Sequence, residues 1–147
     1  MIEASHVLEV HMPFAVRRAD YFYVTVSGEV AAPSELLTAL ANRGINLLAF
    51  ASVPMGPQRT QLTLFPEDTG RFTAEASRGG LAADGPHPAL LVRGDDELGA
   101  LARVNQALAN EGIAVFAATG VADGRGSFGY VVYLKPADVD RAVKLLS

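Results

Sequence analysis

Leu40-Ala41-Asn42-Arg43-Gly44-Ile45 returns, with one exchange, as Leu108-Ala109-Asn110-Glu111-Gly112-Ile113. Outward from this pair the register holds without a gap. Val24 meets Val92, Glu29 meets Glu97, Ala49 meets Ala117, Val53 meets Val121 and Gly56 meets Gly124. A six-residue match alone is within the reach of chance, whereas self-similarity sustained in one register is the mark of an internal repeat. The chain therefore reads as two copies of one unit.

Each copy shows the same order of periodicities. Phe22, Val24 and Val26 alternate with Tyr21, Tyr23 and Thr25, and Leu90-Leu91-Val92 is a shorter apolar run, so both copies open with a strand. A helix follows in each. In the first copy Pro33 suits an early helical position and Leu36, Leu37 and Leu40 form the stripe. In the second, Leu101, Val104 and Leu108 form the stripe and Asp96 and Glu97 are expected in the first turn. Gly44 and Gly112 end these helices, because glycine enters the left-handed region at little steric cost. Two hairpins come next, one turning around Pro54-Met55-Gly56-Pro57 and one around Asp123-Gly124-Arg125-Gly126. Pro66 and Pro136 then mark the expected start of a second helix in each copy. Val139, Ala142, Val143 and Leu146 give the later one a clear face, and Phe72 and Ala76 the earlier one a weaker face.

A closing strand is short in the first copy (Leu81-Ala82-Ala83) and missing from the second. The segment before the first copy alternates, with Leu8, Val10 and Met12 on one face and Val7, Glu9 and His11 on the other. It is expected to supply an edge strand, in cis or from a partner chain. The organisation expected is an N-terminal extension over 1–20, one repeat over 21–85 and a second over 86–147.

Half of the 147 residues are hydrophobic, enough to fill a core, and the charge of −4 with singly scattered Lys and Arg argues against nucleic acid. No apolar run reaches the roughly 20 residues of a membrane span and the N-terminus lacks the pattern of a signal peptide, so a cytoplasmic protein that does not bind membranes is expected. Without cysteine there is no disulfide, thiolate metal site or cysteine nucleophile.

Strand, helix, strand, strand, helix is the ferredoxin-like βαββαβ order. The residues go further. Gly94-Asp95-Asp96-Glu97-Leu98-Gly99-Ala100-Leu101 followed by Leu108-Ala109-Asn110-Glu111-Gly112-Ile113-Ala114-Val115 resembles the ACT family. In that family a strand ends in Asp or Asn, a glycine opens the helix, and Gly-Ile-Asn-Ile starts the second strand. Gly44-Ile45-Asn46-Leu47 keeps the last pattern in copy one, while Gly28-Glu29-Val30-Ala31 has lost both the acid and the glycine. In copy two Gly99 is kept, Leu98 stands for the usual proline and Ala114 for the usual asparagine. The resemblance implies an α+β fold of two ferredoxin-like, ACT-like repeats, with antiparallel sheets and helices packed on one face.

It also implies a regulatory or sensory protein that binds a small effector, most often an amino acid, without catalytic activity or cofactor, and as a homodimer. A helix N-terminus suits a carboxylate, a glycine lets a ligand approach the backbone, and Asp96 could take an ammonium. In similar modules the loop acid of one unit and the second-strand asparagine of its partner touch the same amino acid. That implies one composite site, with Asp95, Asp96, Glu97, Leu98 and Gly99 facing Asn46 and Leu47 across the interface between the repeats. The plainer alternative is that Asp95 and Asp96 cap the helix, a contribution of roughly 1 kcal/mol that needs no ligand. For the chain as a whole the alternatives are a protein-interaction or scaffold module with a degenerate site, and a cofactor-free enzyme on the same frame.

Gly124-Arg125-Gly126-Ser127-Phe128-Gly129 spells the dinucleotide fingerprint, but strand continues after it through Tyr130-Val131-Val132, so a hairpin turn is expected instead. His6 and His11 sit five apart on an expected strand and point to opposite faces, which makes no chelating pair. His87, between Pro86 and Pro88, is expected in a solvated loop between the repeats.

Overall fold

The computed structural model describes residues 14–147. Among them the elements run β1 (Ala15–Ser27), α1 (Ala32–Asn42), β2 (Leu47–Pro54), β3 (Arg59–Pro66), α2 (Thr69–Arg78), β4 (Asp84–Asp95), α3 (Ala100–Asn110), β5 (Ala117–Ala122), β6 (Ser127–Tyr133) and α4 (Pro136–Leu146). The chain is α+β. It divides into a first unit, Asp20–His87, and a second unit made of Pro88–Ser147 with residues 14–19. The two longest strands, β1 and β4, each contribute residues to both units.

In the first unit β3 pairs antiparallel with β1 on one side and β2 on the other, setting Phe22 opposite Leu64 and Val24 opposite Leu62. These four side chains share one face of the pleat. Leu40 of α1 and Phe72 and Ala76 of α2 pack on that face to make a core in which Leu62, Leu64 and Phe72 are fully buried. Burial of one such side chain stabilises by about 1.5–3 kcal/mol. Asp68 starts α2 by accepting the Arg71 N–H at 3.0 Å. Pro66, expected to open that helix, instead closes β3 opposite Leu47, and the cap falls two residues later.

In the second unit β6 pairs antiparallel with β4 and β5. Leu90 and Val92 of β4 and Phe128, Tyr130 and Val132 of β6 meet Val104 and Leu108 of α3 and Val139, Ala142 and Leu146 of α4. Phe14 and Val16 pack on the same core, the Phe14 ring standing edge-on to Phe128 at 6.1 Å. The stripe of α3 differs from the one expected. Its buried residues are Ala100, Val104 and Leu108, and Leu101 is exposed. The helix begins only at Ala100, which leaves Asp96 and Glu97 in the loop before it rather than in its first turn.

The repeated six residues make the same local structure in both units. Ile45 N–H donates to the Leu40 carbonyl at 3.0 Å and Gly44 N–H to Ala41 at 3.0 Å; Ile113 N–H donates to Leu108 at 2.9 Å and Gly112 N–H to Ala109 at 3.0 Å. Gly44 and Gly112 have φ of +77° and +69°. This is the paired-bond helix ending that a left-handed glycine permits, and it satisfies carbonyls that the last turn leaves open. The leucine and isoleucine flanking each glycine are buried, so the motif also joins the helix to the core.

One stretch runs against expectation. Asp84-Gly85-Pro86-His87 is the beginning of β4, not a solvated loop. A Cβ on Gly85 would stand 2.7 Å from the Tyr21 carbonyl oxygen, so only glycine lets β4 lie this close to β1 in the first unit. His87 is half-buried, its ring 5.3 Å from that of Tyr21 and 5.6 Å from that of Tyr23, with Nε2 3.3 Å from the Asp84 carboxylate. The edge strand expected over Val7 to Met12, and His6 and His11, lie outside the described residues. No helix among the described residues is long and apolar enough to cross a membrane.

Candidate functional site

Asp95 ends β4 opposite Ser127, and the chain then leaves the sheet through a tight turn. The Asp96 N–H donates to the Gly126 carbonyl at 2.8 Å, the Glu97 N–H to Asp95 at 2.9 Å and the Ala100 N–H to Glu97 at 3.0 Å. Gly99 is the N-cap residue of α3, with φ of +82°, a left-handed conformation that glycine takes without the cost other residues bear. Leu98, just before it, is fully exposed.

The first-turn N–H groups of a helix have no acceptor within the helix. The other three helices answer this with a proline and a first-turn acid (Pro33 and Glu35 in α1, Pro136 and Asp138 in α4) or with a side-chain cap (Asp68 in α2). α3 starts with no side-chain cap and no acid in its first turn. Asp95 and Asp96, which were expected to be caps if they had no ligand, do not cap it. Beside this bare start lies an open cavity of about 530 Å³, lined by Asp96 to Ala102, by Gly120, Val121 and Ala122 of β5, and by Phe128. Gly120 leaves room for Leu101, whose Cδ1 would be 3.2 Å from an added Cβ.

The two acids that line the cavity are in different states. Glu97 Oε2 accepts from Arg103 Nη2 at 3.2 Å, and Arg103 Nη1 also donates to the Leu98 carbonyl at 3.3 Å. Asp96 has no side-chain partner among the described residues. The site thus offers backbone donors for an anion, one free carboxylate for a cation, and apolar walls from Leu101, Val121 and Phe128.

Asp95, Asp96, Glu97, Leu98 and Gly99 come together in one loop of the second unit. Asn46 and Leu47 belong to the first unit. There the Asn46 amide donates to Glu67 Oε2 at 2.6 Å and its carbonyl accepts the Glu67 N–H at 2.8 Å, on a hollow of about 200 Å³ that Asp68 and Arg71 also line. Leu47 opens β2 and packs on the first unit's core. The sequence reading missed Arg103, Leu101 and Val121 as residues of the site. A basic residue six positions after an acid matches no helical pair, so only the turn at Gly99 brings Arg103 and Glu97 together. The Gly124-Arg125-Gly126 stretch is a hairpin turn as expected, with Asp123 Oδ1 accepting from Arg125 and Ser127 N–H groups. No group of His, Cys, Asp or Glu among the described residues could hold a metal ion.

No family model and no curated protein sequence matches the chain. Solved structures do match. A protein of Bacteroides thetaiotaomicron superimposes with a TM-score of 0.75 at 18% identity, over 89% of this chain and 88% of the other. The ligand-free regulatory subunit of aspartate kinase from Thermus thermophilus follows at 0.62 and 17%, over 91% and 94%. The regulatory subunit of aspartate kinase from Thermus flavus gives 0.53 at 14%, over 91% and 94%. The fold is ACT-like. At these identities the likeness is one of fold.

Proposed function

We propose that this ACT-like chain is a regulatory protein without catalytic activity that binds an amino acid at the start of α3. The observation that carries the reading is the uncapped helix start opening on a cavity whose wall holds an unpaired carboxylate, Asp96. The ligand's carboxylate accepts from first-turn N–H groups of α3 beyond that of Ala100, which already donates to Glu97, and the helix dipole favours negative charge there. Its ammonium faces Asp96. Its side chain lies against Leu101, Val121 and Phe128, which favours an apolar amino acid such as L-leucine. The matching order of elements and the identical helix endings at Gly44 and Gly112 support reading the units as ferredoxin-like repeats from one duplication. The exposed, uncharged β5 strand supports a homodimer, and the cysteine-free sequence fits a cytoplasmic setting.

Calorimetric titration tests the site. L-leucine should bind saturably, and both L-leucinamide and 4-methylpentanoate, each lacking one charged group, should bind about tenfold more weakly or worse, as expected for loss of one charge-assisted hydrogen bond. Asp96→Ala should weaken L-leucine by a similar factor and leave 4-methylpentanoate unaffected. Participation of Asn46 and Leu47 is proposed from the sequence alone. Weaker L-leucine binding in Asn46→Ala supports it, and unchanged binding there leaves the loop as the whole site. A second reading, an interaction module, is favoured by the exposure of Leu98, Phe116 and Val121 in the second unit. It wins if no amino acid binds.

A further inference from the structure

We infer that Arg103 is a positioning residue: its guanidinium ties the Glu97 carboxylate and the Leu98 carbonyl so that the loop presents the first N–H groups of α3 in one fixed arrangement. The inference rests on the amino-acid reading of this site.

A cation this near a helix N-terminus opposes the macrodipole, so its presence asks for a compensating role. The geometry supplies one. Nη2 lies 3.2 Å from Glu97 Oε2 and Nη1 3.3 Å from the Leu98 carbonyl oxygen, so one planar fork holds a side chain and the backbone on either side of a single peptide. Immediately after these two residues stands Gly99, the most permissive residue in the loop. Without the fork, Gly99 would let the turn sample other conformations and scatter the donors.

The equivalent place in the first unit shows what the fork is not needed for. The Arg103 N–H donates to the Gly99 carbonyl at 2.9 Å, and the Glu35 N–H donates to Ala31 at the same 2.9 Å, with a glutamate where the arginine stands. The helix therefore starts without an arginine when its N-cap residue is Ala31, held in the ordinary helical region at φ −81°. The arginine accompanies the left-handed glycine. The fork also occupies Glu97, which leaves Asp96 as the free acid of the cavity wall to meet a ligand's ammonium.

A half-exposed ion pair adds little to global stability. Removing it should act on the loop and leave the fold intact, which separates positioning from support. In the full chain, without added amino acid, Arg103→Ala should speed hydrogen exchange at the Glu97 and Ala100 amides by about tenfold, leave the Leu108 amide unchanged, and barely move Tm. L-leucine should bind about tenfold more weakly to that variant, and Arg103→Lys, which keeps the charge but not the fork, should fall between the two. Unchanged exchange at Glu97 and Ala100 overturns the inference. So does faster exchange with unaltered L-leucine affinity. If the unsubstituted protein binds no amino acid while exchange still rises in Arg103→Ala, the tether stands and the amino-acid reading falls.

Discussion

At the start of α1 the Gly28 N–H donates to the Gln58 carbonyl at 2.8 Å and the Ala32 N–H to Glu29 at 3.1 Å; at the start of α3 the Asp96 N–H donates to Gly126 at 2.8 Å and the Ala100 N–H to Glu97 at 3.0 Å. Val30 and Leu98, at matching places, are both fully exposed. The backbone bonds repeat and the chemistry does not. Around α1 there is no loop aspartate, the N-cap residue is alanine, and Pro33 and Glu35 complement the helix start. Around α3 there is a free aspartate, a left-handed glycine and an arginine fork, and the helix start is bare. The difference teaches that a strand-to-helix turn forms with either outfit, and the bare one at α3 is the one for which a ligand is proposed.

The largest effect should come from trying to make the first start resemble the second. A Cβ at Gly28 would stand 2.8 Å from the Pro57 carbonyl oxygen and 3.0 Å from the Gln58 carbonyl carbon, both backbone atoms that cannot step aside. Gly28→Asp should therefore cost about 1–3 kcal/mol, read as a fall in denaturant midpoint, and should create no second amino-acid site. A stable Gly28→Asp protein with two sites would break the comparison.

A smaller and opposite pair sharpens it. Gly99→Ala forces a side chain into the left-handed region at about 1–2 kcal/mol and should abolish L-leucine binding as the turn reorganises. Ala31→Gly, at the matching place, should change stability by only a few tenths of a kcal/mol, because glycine is tolerated at a helix start. Equal stability losses in the two variants would show that the two starts do not differ as described.

Much of the frame was legible because it depends on neighbours in sequence. The glycine endings after Asn42 and Asn110, the two hairpin turns, and the faces of α2 and α4 all follow from local periodicity and turn chemistry. The failures fall where distant residues decide. Asp84-Gly85-Pro86 looks like a linker until the Tyr21 carbonyl is seen pressing on Gly85, which explains a glycine inside a strand. Leu101 looks like core because it stands three residues before Val104, but Ala100, four before Val104, takes the buried place on that face. Of the candidate site, the loop Asp95 to Gly99 was legible and its surroundings were not. Arg103 and Val121 reach it only through the turn at Gly99 and the pairing of β5 and β6.

The central claim is that one of the two helix starts binds and the other does not. The stoichiometry of L-leucine binding to the full chain, measured by isothermal titration calorimetry at known active concentration, tests it most directly. One site per chain, lost in Asp96→Ala, is the result expected. Two sites per chain, or one site that survives Asp96→Ala unchanged, would contradict it.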